Sequence, residues 1–193
     1  MTATTLFYIL IAILIINFII DKVLDFLNSK HFDDEIPVEL ADVYEKDEYE
    51  KSQAYKKTND RFSNITGFFS LTITLAFFFL DGFQFVDEIA RSYSSNSIVI
   101  TLVFFGVIML GSDIINTPFS YYKTFVIEEK FGFNKTTVKT FFLDKIKGLL
   151  MTAILGGGIL ALIIWFYNYA GSNFWIYAWI LVAAFSIFMN MFY

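Results

Sequence analysis

Long apolar runs alternate with charged blocks along this chain of 193 residues. Met1 to Ile20 carries no charge and is apolar from Leu6 onward. Arg61 and Asp81 bracket 19 uncharged residues, Phe62 to Leu80, and Arg91 and Asp113 bracket 21 more, with Ile98 to Leu110 as their apolar heart. From Gly148 to Tyr193 there are 46 residues without a charge. A bilayer core takes roughly 20 residues of helix, so this last run is too long for one span and fits two. The turn formers Asn168, Gly171, Ser172 and Asn173 mark the hairpin between them. The pattern predicts five spans, at about 4–20, 62–80, 96–115, 148–168 and 174–193. In lipid, backbone groups must be satisfied internally, which leaves helices or closed barrels. Continuous apolarity, in place of alternation over about ten residues, selects helices. The expectation is an all-α, polytopic transmembrane protein, one membrane domain over 1–193, with two large polar segments at 21–61 and 113–147.

Composition agrees: 56% of residues are hydrophobic, 20% aromatic and only 17% charged, against about 25% charged in soluble domains. The net charge of −5 and the lack of a basic stripe exclude nucleic acid as a partner. No cysteine is present, which removes disulfides and thiolate metal sites. The first span has no preceding Lys or Arg and no small-residue cleavage site after it, so it reads as a permanent anchor and not a secretory signal. Seven Lys/Arg lie in 21–61 and six in 113–147, while the loop between spans two and three holds Arg91 alone and the 168–173 hairpin holds none. The positive-inside rule then puts both large segments and Tyr193 in the cytoplasm and the N-terminus outside or in a lumen. Tyr167, Tyr169, Trp175, Tyr177 and Trp179 would form the outer aromatic belt, and Tyr121 and Tyr122 the inner one. The sequons at Asn64 and Asn134 fall on or near the cytoplasmic face, where neither is expected to be glycosylated.

The first polar segment predicts a helix from Ile36 to Arg61 leading into span two, with Pro37 in its first turn. Asp42–Lys46 and Asp47–Lys51 have i,i+4 spacing in the favourable order. Leu40, Val43, Tyr44 and then Tyr55 form a thin stripe, either a packed edge of a solvated helix or a binding surface. In the second segment, aromatic and β-branched residues surround Glu128 and Glu129, and Gly132 ends the run. So many aromatics imply packing against the protein or the membrane surface. Asn134 or Thr136 is expected to cap the next helix. The Glu pair invites a reading as general base or metal ligand, but neighbours on a helix point about 100° apart and do not readily serve one metal. No predicted span interior holds an ionisable residue, and Asp113 at the inner end of span three comes nearest. Ala153, Gly157 and Ala161 repeat at four-residue spacing in span four, a face suited to close helix packing or to bordering a cavity. With one His, no Cys and no H-E-x-x-H, no catalytic residue and no metal ligand is expected in this chain.

Phe125-Val126-Ile127-Glu128-Glu129-Lys130, followed by Gly132-Phe133-Asn134, resembles the motif before the fourth span of type I CAAX prenyl proteases. Pro118-Phe119 and Tyr122 fit the same pattern, as do Pro37-Val38-Glu39-Leu40, Glu50 to Tyr55 and, in character, Trp175 to Trp179. Phe131 departs from it, where several members carry His. The resemblance implies an integral-membrane zinc metallopeptidase of seven helices around a chamber. Its H-E-x-x-H and a distant Glu ligand would lie in a cytoplasmic catalytic domain after the fifth helix, outside this chain. It also implies zinc as cofactor of the full-length enzyme, peptide or lipidated-peptide substrates, and the C-terminal catalytic domain as partner. The chain itself would supply part of the chamber wall and support that domain, inactive alone. The alternative is a free-standing membrane scaffold or lipid/peptide-binding module. The missing zinc motif favours that alternative, and the stop at Phe192-Tyr193 without flanking charges weighs against it. A transporter lacks both intramembrane charge and a repeat of topology.

Overall fold

The computed structural model describes residues 2–32, Ile36 and 45–191. The expected helix start at Pro37, the Leu40, Val43 and Tyr44 stripe and the Asp42–Lys46 pair lie outside those residues. The described segments form α1 (Ala3–Ser29), α2 (Lys46–Phe79), α3 (Gly82–Tyr93), α4 (Ser97–Tyr122), α5 (Glu129–Phe131), α6 (Val138–Met151), α7 (Gly157–Ala170) and α8 (Phe174–Met191). Two π-helical stretches, Lys123–Glu128 and Thr152–Gly156, join α4 to α5 and α6 to α7, and a 3-10 turn, Gly171–Asn173, separates α7 from α8.

Four continuous helical stretches are long and apolar enough to cross a membrane: Ala3–Ser29, Lys46–Phe79, Ser97–Phe131 and Val138–Met191. The last is 54 residues long, twice what one crossing needs, and folds back on itself. Phe166 and Tyr177 would be some 16 Å apart along one straight helix, yet their ring centroids are 5.7 Å apart and those of Tyr167 and Phe174 5.1 Å. Gly171, with φ +55, makes the reversal. Five spans result. The charged part of α2 is helical too and runs unbroken into its span, as expected from the sequence.

One element was not anticipated. Between spans two and three, α3 turns Val86 and Ala90 inward, both buried, and leaves Gln84, Glu88 and Arg91 to solvent. Its entry is tight: Asp81 has φ +54, and a Cβ on Gly82 would lie 2.4 Å from the Phe77 ring. The sequence signal was present as apolar positions three to four apart over a stretch too short and too charged for a span.

The chain divides into two units, 1–82 with 118–134, and 83–117 with 135–193. In the first, α1 runs beside α2. Phe7 meets Phe78 and Phe79 edge-on at 6.0 and 5.4 Å, and Phe18 meets Phe68 at 4.9 Å. At the other end of this pair Lys22 Nζ donates to Asp25 Oδ2 (2.7 Å) and Asn64 Oδ1 (2.6 Å), while Asn64 Nδ2 donates to Asp60 Oδ2 (3.2 Å). In the second unit, Lys145 of α6 is salt-bridged to Asp113 of α4 at 2.7 Å, and Asn168 Nδ2 donates to Ser97 Oγ at 2.8 Å. Many large apolar side chains are exposed, and the buried hydrophobics among the described residues are Ile11, Val86, Ala90, Ile127 and Phe131. Exposed apolar surface of this extent suits helices whose solvent is lipid.

Candidate functional site

Two of those buried residues belong to one short segment. From Pro118 the chain continues helically, although proline has no N–H to give the carbonyl one turn back. The helix then widens into the π-helical Lys123–Glu128 stretch and ends at Phe131. Gly132 follows in the left-handed region, φ +78. Its N–H donates to the Glu129 carbonyl at 3.0 Å, and the Phe133 N–H reaches back to the Glu128 carbonyl at 2.9 Å. This paired closure is a Schellman turn, and glycine enters its left-handed position without a Cβ penalty.

Side chains fix the turn from both sides. Tyr55 Oη of α2 donates to Glu128 Oε1 at 2.6 Å. Asn134 Nδ2 donates to Glu129 Oε2 at 2.9 Å. The Tyr55 ring stands edge-on to Phe131 and Phe133, centroids 5.2 and 4.9 Å away and both at 72°, within the range where aromatic pairs attract. Lys51 Nζ lies 5.6 Å from the Phe133 ring centre. Ile127 and Phe131 are buried beneath, and Phe125 stacks obliquely on Tyr121 at 4.6 Å. The Glu128 carboxylate, followed by burial, raises the Tyr55 phenol above its ordinary value, because ionising it would put a second negative charge against the first.

The structure therefore brings together Ile127, Glu128, Glu129, Gly132, Phe133 and Asn134, adds Tyr55, and leaves Val126 outward. The two carboxylates take different partners, one on α2 and one within the turn. Neither Asn134 nor Thr136 caps α6. Thr137 does, extended and accepting from the Thr140 N–H at 3.2 Å, because it directly precedes the first helical residue and Asn134 lies three positions earlier. Thr136 stands one position too early for that geometry.

In the other unit, Ala153, Gly157 and Ala161 border a cleft of about 800 Å³ whose opposite wall includes Leu102 and Phe105 of α4. A Cβ at Gly157 would sit 3.8 Å from Leu102, so the helices pass closely there. The cleft adjoins a second, of about 480 Å³, through Met109, Ser112 and Thr152, where Asp113, Asn116 and Lys145 supply the polar wall. No spacing along the chain connects Asp113 to Lys145, 32 positions later.

A zinc site does not fit these residues. The chain has one His and no Cys, and no three His, Cys, Asp or Glu among the described residues are grouped to hold an ion.

Membrane-crossing helices with an aromatic, hydrogen-bonded turn tied to the polar part of one of them define a polytopic integral membrane protein. The chain belongs to the CAAX prenyl protease N-terminal family: the family model described as "CAAX prenyl protease N-terminal, five membrane helices" matches residues 25–193. It is 35% identical over 156 residues, 74% of this chain and 33% of the relative, to a probable CAAX prenyl protease 1 of Schizosaccharomyces pombe. It is 32% identical over 165 residues, 82% and 39%, to a CAAX prenyl protease 1 homolog of Arabidopsis thaliana. The crystal structure of S. mikatae Ste24p superimposes with a TM-score of 0.88 at 28% identity, covering 95% of this chain and 44% of that one. The chain thus spans about a third of the length of the curated relatives it matches.

Proposed function

We propose that this segment is the membrane-embedded N-terminal part of a zinc-dependent endopeptidase that cuts prenylated CAAX-type C-termini. It supplies part of a chamber wall, with the cleft beside Ala153, Gly157 and Ala161 facing the interior, and it supports a catalytic domain. Zinc and the groups that activate water belong to the remainder of the longer protein, which the relatives' extra length accommodates. The peptide substrate and that catalytic domain are its partners besides the bilayer. The segments 21–61 and 113–147 lie in the cytoplasm and the N-terminus outside or in a lumen, a reading carried by the distribution of Lys and Arg.

The observation that supports a supporting role over a catalytic one is the Tyr55–Glu128 bond. Glu128 spends its carboxylate holding the turn to α2, and Glu129 spends its own within the turn. In the full-length protein, the double change Glu128→Ala and Glu129→Ala is expected to lower the yield of folded protein more than turnover per folded molecule. Yield is read by size-exclusion chromatography and turnover with a farnesylated CAAX peptide. Normal yield with abolished turnover would overturn the assignment.

A further inference from the structure

We propose that the groove between α2 and the end of α4 binds one anionic phospholipid, its phosphate held by Arg61 and Lys130 and an acyl chain lying along Phe62, Ile65 and Phe119. The groove has a volume of about 560 Å³ and a mostly apolar lining among the described residues. Arg61, Phe62 and Ile65 come from one face of α2, since positions three and four apart align on a helix. Phe119 and Tyr122 of α4 form the facing wall. Phe62 stacks on Tyr122 at 5.5 Å and leans on Phe119 at 6.4 Å, so the two walls are already in register.

Depth decides the class of ligand. Arg61 is the last charge before the 19 uncharged residues of the second span, which puts it at the headgroup level whichever side of the membrane it faces. Ile65, 65% exposed, lies one turn further into the hydrocarbon. The groove is therefore cationic where phosphates lie and apolar where acyl chains lie.

Charge decides the sign. The chain is net negative, yet neither Arg61 nor Lys130 forms an ion pair among the described residues. Lys130 has only a ring contact, 5.4 Å over Phe131. The acidic neighbours of Lys130 in the turn are already taken, Glu128 by Tyr55 and Glu129 by Asn134. A phosphodiester supplies the missing counter-charge and accepts charge-assisted hydrogen bonds from both groups. Free phosphate would leave the apolar floor unused.

The test uses the full-length protein in detergent, with bound lipid counted by native mass spectrometry during titration. Dioleoyl phosphatidylglycerol is expected to be retained more tightly than dioleoyl phosphatidylcholine, and inorganic phosphate is expected not to displace it. Arg61→Gln and Lys130→Gln should each weaken phosphatidylglycerol retention about fivefold, the contribution of one cation near an anionic surface. Lys130→Arg should keep it. Ile65→Trp, which fills the floor, should weaken both lipids. Unchanged elution and unfolding midpoints without added lipid separate lost binding from lost folding. Equal retention of the two lipids, undiminished retention by the Arg61→Gln/Lys130→Gln double variant, or displacement by phosphate alone overturns the proposal. The second result is also what a covering protein segment would give.

Discussion

At the scale of single residues, Tyr55 joins two parts of the sequence 73 positions apart. Its hydroxyl bonds a carboxylate, an interaction worth more than a neutral hydrogen bond, and its ring touches two phenylalanines. Tyr55→Phe removes the first and keeps the second. The expected loss is about 1 to 2 kcal/mol, measured by denaturant unfolding of the full-length protein. The pH dependence follows from the raised phenol. Folding favours its protonated form, so the contribution is whole below the ordinary value of about 10 and fades as pH climbs through the raised one. That alkaline component should vanish in Tyr55→Phe, and a variant that keeps it would show another group responsible. The sequence made the Phe125–Asn134 segment legible through its aromatics and its glycine. Its partner was legible only as the end of a thin stripe, because no periodicity connects Tyr55 to Glu128. The cap of α6 was misjudged for a related reason. Asn134, Thr136 and Thr137 all carry capping side chains, and only the point at which the extended backbone turns helical, after Thr137, selects among them.

Among elements, the end of the α4–α5 helix depends on Gly132. A Cβ there would meet nothing nearer than Lys51 Nζ at 3.9 Å, so the penalty on substitution is conformational and not steric. Gly132→Ala should cost about 1 to 2 kcal/mol, the difference between left- and right-handed backbone for an L-residue. Gly132→Asn should cost less, since asparagine tolerates that region. Thermal unfolding midpoints of the two variants check this, and a midpoint for Gly132→Ala equal to wild type would mean the turn can close another way. The long apolar helices were legible because uncharged runs of about 20 residues mark them. The helix α3 and the two π-helical stretches were not. The first is short and charged, and the others need one extra residue per turn, which no composition announces.

For the whole molecule, the distribution of basic residues makes an orientation testable, and these 193 residues contribute no native cysteine to the background. In the full-length protein, freed of any cysteine elsewhere, Ser172→Cys in the α7–α8 hairpin should react with an impermeant maleimide on intact cells. Lys135→Cys should react only after permeabilisation. The opposite pattern would reverse the topology. If the endomembrane system holds the protein, sealed microsomes give the complementary reading.

Edge-on aromatic contacts occur in two solvents. Phe7, Phe78 and Phe79 meet edge-on within the apolar runs, where neighbouring lipid is as apolar as they are, and only shape and dispersion hold them. Tyr55, Phe131 and Phe133 meet at similar distances beside the charged stretch of α2, where water drives them together. Cooling and urea both weaken water-driven association. In the cold the turn therefore loosens its hold on the charged stretch of α2 before the spans part from one another.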